Sequence, residues 1–452
     1  MGIFAKSGFI RKQAALIGGD LILSIMVINM IRISGDQMSA GGPGSLAGNL
    51  MIISSFLFSS YFCEIYSGVA LKNDFSLIRT FTALSLSLFI TLILKTVFGY
   101  SWLVFPGVIL FFILQSAWQK IYARIILAPI FLKKVIVVGT GKKALKIEKM
   151  IKNAPEKFDL SGFVSTEADP VDVEPVKIVG KIDDIDKICR ALKIHAVILA
   201  LTERRGNLKV DRLISCKLMG VRIFDYPSFY ESITGKLPVE SLNPSWLVES
   251  SGFLITPFIK FMKRTLDILF SGSLLLLTLP LFPVIVFLVK YQSPGPLFYT
   301  QKRVGEGGKN FTIFKFRSMK VGAEQQTGVT WAVEQDPRIS KFGAFLRKTR
   351  IDELPQLINV LTGKMSFIGP RPERPEFVDK ICMATPYYME RHAVKPGITG
   401  WAQVMYPYGA SIGDSIEKLR YDLYYINNLS LFLELLIVFE TIKVILFRKG
   451  SR

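Results

Sequence analysis

Leu266-Asp-Ile-Leu-Phe-Ser-Gly-Ser-Leu-Leu-Leu-Leu-Thr-Leu-Pro-Leu-Phe-Pro-Val-Ile-Val-Phe-Leu-Val289 is long and apolar enough to enter a bilayer, with Pro280 and Pro283 near its middle. Each proline removes a backbone donor and bends a helix. Lys260, Lys263 and Arg264 precede the stretch; Lys290, Lys302, Arg303, Lys309, Lys315, Arg317 and Lys320 follow it. Basic flanks favour the cytoplasmic face, so both ends belong on one side. A helix that enters, kinks around Leu279, Pro280 and Pro283, and returns satisfies both flanks. A straight fifth span is the alternative, and it places one basic cluster outside.

Upstream, four apolar stretches over roughly 14–33, 47–66, 78–98 and 103–126 read as transmembrane helices. Lys6, Arg11 and Lys12 precede the first, Lys72 and Arg79 lie between the second and third, and Lys133 and Lys134 follow the fourth. The loop at 34–46 has neither Lys nor Arg, so both ends of this unit are expected on the cytoplasmic side. The first stretch is too long for a removable signal and lacks a small-residue cleavage site. Asp20 and Glu64 fall inside spans, where a charge is costly; polar contacts within the bundle are the plainer reading and a functional site the sharper one.

From 133 to 250 the pattern becomes short apolar runs between charged helical stretches: Val135-Ile-Val-Val-Gly139, Ala196-Val-Ile-Leu-Ala-Leu201 and Val221-Arg-Ile-Phe224. This is α/β alternation around a parallel sheet, a Rossmann-like module. Gly139, Gly141 and Ala144 imitate the dinucleotide fingerprint, in which helix-start amides hold a pyrophosphate. No acidic residue closes the second strand near Phe163-Val-Ser165, and Glu167 comes late. A bound nucleotide and a module kept for packing or regulation both stand.

The composition limits the chemistry. Two histidines, His195 and His392, and four scattered cysteines without a C-x-x-C pair leave no zinc site, disulfide framework or His-based triad. A net charge of +20, from 56 Lys and Arg against 36 Asp and Glu, suits an anionic membrane, phosphorylated substrates or nucleic acid. The positives cluster at membrane flanks and around one carboxylate pair, without a recognition helix or aromatic ladder, which argues against nucleic acid.

That pair is Asp352-Glu353, expected to open the helix Asp352-Glu-Leu-Pro-Gln-Leu-Ile-Asn-Val-Leu361 with Pro355 in its first turn. Around it in sequence stand Pro294-Gly-Pro296, Gly305-Glu-Gly-Gly308, Lys315-Phe-Arg317, Arg347-Lys-Thr-Arg350, Pro370-Arg-Pro372 and Pro396-Gly-Ile-Thr-Gly-Trp401. Glycine-rich turns let backbone approach a ligand, and arginine and lysine suit diphosphate oxygens. Beside such a cluster an ionised carboxylate is placed to attack phosphorus or bind magnesium. Two acids merely favouring a helix dipole is the bland reading, and spacing alone does not separate the two.

From Lys263 to Phe447 the chain resembles the bacterial sugar transferase family, the monotopic polyprenyl-phosphate phosphoglycosyl transferases. The resemblance lies in Ser293-Pro-Gly-Pro296, Gln301-Lys-Arg303, Lys315-Phe-Arg-Ser-Met319, Arg350-Ile-Asp-Glu-Leu-Pro-Gln356, Ile358-Asn-Val-Leu361, Gly369-Pro-Arg-Pro-Glu373 and Lys395-Pro-Gly-Ile-Thr-Gly-Trp401. It implies a membrane protein of α and α/β parts: a four-helix transmembrane bundle (1–132), the Rossmann-like module (133–250), a linker and re-entrant helix (251–292), and a mainly α monotopic catalytic domain (293–452) ending in an interfacial helix, Leu431–Phe447. The implied reaction moves a hexose 1-phosphate from a UDP-sugar to undecaprenyl phosphate, with release of UMP, at the cytoplasmic face of a bacterial inner membrane. Such a step starts exopolysaccharide, capsule or O-antigen synthesis.

In that reading Asp352 is the nucleophile and Glu353 the Mg2+ ligand. Arg347 takes the lipid phosphate, Lys315, Arg317 and Arg371 the nucleotide sugar, and Gln356 of the same motif is a further substrate-binding residue. The long members suggest a homodimer. The family breaks its re-entrant helix at a Ser-Pro pair, for which this chain has Leu279-Pro280, so the serine hydroxyl that would bond backbone at the bend is missing. An inactive membrane scaffold or regulator is the alternative, and an oxidoreductase built on Gly139 and Gly141 lacks a Tyr-x-x-x-Lys signature.

Overall fold

In the computed structural model, residues 3–33, 46–63, 65–66, 76–99, 102–126, 132–153, 158–166, 169–201, 209–292, 295–319, 338–406, 409 and 411–447 are described. Glu64, Glu167, Ser293 and Pro294 lie outside them. The chain is mostly helical with one parallel sheet, and it falls into two compact units, Ile3–Tyr226 and Pro227 onward.

The first unit opens with α1 (Ile3–Ile33), α2 (Leu46–Phe62), α3 (Ser76–Phe98) and α4 (Val104–Ile126). Val27, Ile28, Ile52, Phe56, Ala83, Val108, Phe111 and Phe112 make their shared core. Ile78–Phe98 and Val104–Tyr122 are long and apolar enough to cross a membrane; Leu16–Ile31 and Gly48–Phe62 are shorter apolar helices. Asp20 is buried in this core, where the Gln115 amide bridges its carboxylate to the Ser60 hydroxyl. A polar partner inside the packing matches the plainer reading of that residue.

The α/β part runs β1 (Lys133–Val138), α5 (Lys142–Asn153), β2 (Phe158–Ser165), β3 (Ile178–Lys181), α6 (Ile185–Ala191), β4 (Ala196–Leu199), α7 (Val210–Leu218) and β5 (Arg222–Asp225). The five strands are all parallel, in the order β3-β2-β1-β4-β5, as the apolar runs predict. After β1 the Gly139–Gly141 loop does contain helix-start amides, but Thr140 and Gly141 N–H both donate to Asp169 Oδ2, at 3.0 and 3.3 Å.

The second unit begins inside α8 (Tyr226–Thr234) and continues through α9 (Pro244–Glu249). Leu237, Val239 and Leu242 are buried with Leu419, Leu423 and Tyr425, and Leu237 N–H bonds Arg420 O at 3.0 Å. Residues 227–250, assigned above to the α/β module, therefore pack in the C-terminal core. The long apolar segment follows as α10 (Pro257–Thr278), a 3-10 turn (Leu279–Leu281) and α11 (Phe282–Gln292). Pro280 lies in that turn, as expected of a residue with no N–H to give. The hydroxyl missing from Leu279 is supplied one residue earlier: Thr278 Oγ1 donates to Leu274 O at 2.7 Å and Leu275 O at 3.3 Å.

Beyond it come an antiparallel hairpin, β6 (Phe298–Val304) and β7 (Asn310–Phe316), α12 (Lys341–Lys348), α13 (Gln356–Leu361), β8 (Ser366–Ile368), α14 (Pro375–Ala384), β9 (Gly397–Thr399), α15 (Trp401–Met405), α16 (Ile412–Asn427) and α17 (Leu431–Phe447). Two glycine-rich stretches expected to approach a ligand are used for the fold. Gly305–Gly308 turns the hairpin, with Gly307 and Gly308 at φ 64° and 75°, where a side chain is strained. Gly369 and Gly397 bring β8 against β9 so closely that a Cβ on Gly397 would lie 2.1 Å from Gly369 N.

Candidate active site

The carboxylate pair does not open an α-helix. Asp352 and Glu353 occupy a single 3-10 turn, Ile351–Glu353, and α13 begins only after Pro355. Proline without an N–H fits the start of α13, so the pair is pushed into the preceding turn. Arg350, just before it, has φ 59°, a left-handed conformation that a side chain adopts at a cost of about 1 kcal/mol or more. The turn is held down by its apolar neighbours: Ile351 and Leu354 pack with Phe282, Ile285 and Val289 of the membrane segment and with Phe316 and Leu346.

α13 is pinned from two sides, and β8 beside it is tied to the same helix, α10. Asn359, fully buried, donates through Nδ2 to Thr312 O at 2.8 Å and accepts Phe314 N–H at 3.3 Å, tying the helix to β7. At the far end Arg264 donates to Val360 O and Leu361 O, both at 2.7 Å, adding to the cap of the last turn, where Val360 O also accepts Gly363 N–H at 2.9 Å. Asp267 Oδ1 accepts Ser366 Oγ–H and Phe367 N–H, each at 2.8 Å. Lys263 Nζ donates to Ile368 O at 2.8 Å and pairs with Glu434 Oε2 of α17 at 2.8 Å. Of the residues that served above only as a basic flank, Arg264 thus fastens α10 to the helix behind the carboxylates, and Lys263 fastens it to β8 and α17.

Around the pair the predicted cations converge. Lys315 Nζ lies 2.8 Å and Arg371 Nη2 2.7 Å from Glu353 Oε1, while Arg350 Nη1 stands 4.0 Å from Oε2. Arg347, in the last turn of α12, donates through Nε to Ser318 Oγ at 2.9 Å, and its charge acts on Asp352. Arg317 is buried just past β7, its N–H on Leu297 O at 3.0 Å, and Gln356 is buried at the first position of α13. Asp352 is buried too, and its Oδ1 has no hydrogen-bond partner among the described residues.

The two acids are driven apart electrically. Burial and then the neighbouring Glu353 charge push the Asp352 carboxyl up to about 6, against the pull of Lys315, Arg347 and Arg350. Burial would raise Glu353 as well, but the charges of Arg371, Lys315 and Arg350 outweigh it and hold that carboxylate well below its usual range. One carboxylate is locked to its cations, and the other keeps a bare oxygen that ionises near neutrality. The arrangement supports nucleophilic attack on an electrophile whose negative charge the surrounding cations would bind.

Sequence reasoning missed the roles of Asn359, Arg264 and Asp267, whose partners, backbone groups and the Ser366 hydroxyl, come from other segments. It also missed Arg391, which pairs with Asp422 and donates to Tyr388 Oη and Arg371 O as well. A signal existed for one pairing: Lys263 and Asp267, four apart, share a helix face and meet the same short stretch, Ser366–Ile368.

Residues 258–448 match the bacterial sugar transferase family. A UDP-N-acetylgalactosamine-undecaprenyl-phosphate N-acetylgalactosaminephosphotransferase of Aeromonas hydrophila is 43% identical over 263 residues, 58% of this chain and 61% of that protein. UDP-glucose:undecaprenyl-phosphate glucose-1-phosphate transferases of Xanthomonas campestris pv. campestris and Escherichia coli K12 are 34% and 36% identical; the matches cover 71% and 58% of this chain, and 68% and 57% of those proteins. The chain therefore spans between 57% and 68% of the length of these three relatives. Because the family match contains the carboxylate pair and every cation around it, and the Xanthomonas protein is matched over two thirds of its length, this chain belongs to the bacterial sugar transferase family.

Proposed function

We propose that the chain transfers a hexose 1-phosphate from a UDP-sugar to undecaprenyl phosphate in two displacements at one phosphorus. An Asp352 carboxylate oxygen attacks the β-phosphorus, the bond to the oxygen bridging to the α-phosphorus breaks, and UMP leaves with that oxygen. An oxygen of the lipid phosphate then attacks the same phosphorus and the acyl-phosphate bond to Asp352 breaks, restoring the carboxylate. One phosphoanhydride replaces another, so no ATP is required. The observation that carries the reading is the buried, unpartnered Oδ1 of Asp352 inside a ring of lysine and arginine. The names of the matched relatives support the acceptor and the donor class.

In this scheme Lys315, Arg317 and Arg371 bind the donor diphosphate, Gln356 lines the same pocket, and Arg347 receives the lipid phosphate. The residues suit magnesium, which Glu353 would hold: among the described residues its Oε2 has only the 4.0 Å approach of Arg350, whereas Oε1 is taken. The ion would offset charge on the diphosphate.

The same proposal places α1–α4 across a bacterial inner membrane and the second unit on its cytoplasmic face, with α10 and α11 entering one leaflet and returning. In support, α10 is fastened at Lys263, Arg264 and Asp267 and α11 at Ile285 and Val289 to the same catalytic core, so both ends of the apolar segment meet one domain. Pro257–Tyr291 as a whole is long and apolar enough to cross a membrane, so the support for a return lies in what its two ends meet and not in its length. UMP release from UDP-glucose, UDP-galactose and UDP-N-acetylgalactosamine, with undecaprenyl phosphate in nanodiscs, tests the function. Lipid-dependent release from one of them is expected; none from any donor overturns it.

A further inference from the structure

The turn Pro370-Arg-Pro372 carries the guanidinium that reaches Glu353, yet its prolines have no N–H with which to brace it. Its carbonyls are held from outside instead. Gly397 N–H donates to Pro370 O at 2.9 Å, Arg391 Nη2 to Arg371 O at 2.9 Å, Arg303 Nη1 to Pro372 O at 3.1 Å, and Val304 N–H to Glu373 O at 2.9 Å. Two of these four donors are side chains, from segments far apart in sequence.

Arg391 is 4% exposed and Asp422, on α16, 2%. Asp422 Oδ2 accepts from Arg391 Nε at 3.0 Å and Nη2 at 2.8 Å, and Tyr388 Oη accepts from Nη1 at 3.0 Å. Taking a charge pair this far from water is expensive, and a well-packed apolar pair often stabilises a core as well or better. What an apolar pair lacks is a fixed donor aimed at the Arg371 carbonyl. The planar fork sends its donors to an acid, a phenol and a carbonyl in fixed directions, whereas an ammonium is a point charge whose three N–H groups rotate on a flexible stem.

We infer that Arg391, oriented by Asp422, and Arg303 are positioning residues for the transfer reaction, clamping the turn so that the Arg371 guanidinium stands where the donor diphosphate arrives. The inference rests on the donor role proposed above for Arg371. Neither clamp touches substrate, so its loss acts through Arg371 and appears in donor binding, with the lipid acceptor unaffected.

The test is a kinetic cycle on the full chain in nanodiscs, using whichever of UDP-glucose, UDP-galactose and UDP-N-acetylgalactosamine turns over fastest. KM for donor and acceptor, kcat and the thermal midpoint are measured for the starting protein, Arg371→Ala, Arg391→Lys and the double variant. Arg391→Lys is expected to raise donor KM about tenfold, the scale of a lost orienting contact, with acceptor KM unchanged, and to add nothing in the Arg371→Ala background. Effects that multiply in the double variant, or a rise in both KM values together, overturn the positioning role. A normal donor KM in Arg371→Ala alone overturns the donor role beneath it, which is a separate result. Arg303→Lys, whose side chain is 17% exposed and keeps a charge for Glu373, runs the same cycle if Arg391→Lys does not fold.

Discussion

Two regions of this chain look suited to phosphate in sequence, and their hydrogen bonds differ in kind. In the Gly139–Gly141 loop the amides of Thr140 and Gly141 already hold an anion, the chain's own Asp169 carboxylate. At the Asp352-Glu353 turn the cations are held by Glu353, and Asp352 keeps a buried oxygen with no partner among the described residues. The first region is internally satisfied and the second carries unspent bonding capacity. Buried polar atoms are nearly always paired, so an exception in a ring of cations marks a place where a ligand completes the bonding.

The contrast breaks most decisively at Asp352. Asp352→Asn keeps the shape and removes the nucleophile; UMP release should fall at least about a thousandfold, since a lost covalent nucleophile is among the most damaging changes an active site can suffer. Near-normal turnover would reduce the second region to a satisfied cluster like the first.

Glu353→Gln comes next. It frees Lys315 and Arg371 from their shared oxygen and should cost about a hundredfold in turnover, together with the response to magnesium. It also sharpens the electrostatics. In the proposed mechanism only ionised Asp352 attacks, so kcat/KM should fall as pH drops through about 6. Removing the Glu353 charge, the second cause of that elevation, should move the acid limb to lower pH. A limb that stays in place would show that Glu353 does not set the ionisation of its neighbour.

Arg264→Leu probes the support behind the pair. Losing two charge-assisted bonds at the end of α13 should cost about 2 kcal/mol, read as a lower unfolding midpoint in detergent. An unchanged midpoint would mean that the α10 connection contributes no stability. The smallest effect belongs to the satisfied loop. Asp169→Ala should leave UMP release untouched and lower the melting of the α/β part by about 1 kcal/mol. A new affinity for inorganic phosphate or a nucleotide in that variant, measured by calorimetry, would show that the loop is an anion site occupied from within.

What could be read from the sequence was whatever the chain states locally. Val135–Gly139, Ala196–Leu201 and Val221–Phe224 announce a buried parallel sheet through apolar runs, and they form β1, β4 and β5. The apolar runs at 78–98 and 103–126 become helices for the same reason. The carboxylate pair and its cations were legible as a motif, but their geometry was not. Pro355 permits a helix start, and only the structure shows that the acids fall before it, in a 3-10 turn. Bonds such as Arg391 to Asp422 or Asn359 to Thr312 are invisible locally, because their partners are 31 and 47 residues away. The glycines of Gly305–Gly308 and of Gly369 and Gly397 were ambiguous for a related reason: a turn or a close strand contact, which they serve here, demands the same residue as a bound phosphate does.

The claim on which the rest depends is that Asp352 becomes covalently phosphorylated by the donor. Incubating the full chain with its UDP-sugar and magnesium, without lipid acceptor, and mapping peptides by mass spectrometry tests it directly. A phosphosugar mass on the peptide containing Asp352, absent from Asp352→Asn and removed on adding undecaprenyl phosphate, is the predicted result. The same adduct on another residue, or full transfer with no adduct at any time point, would contradict it.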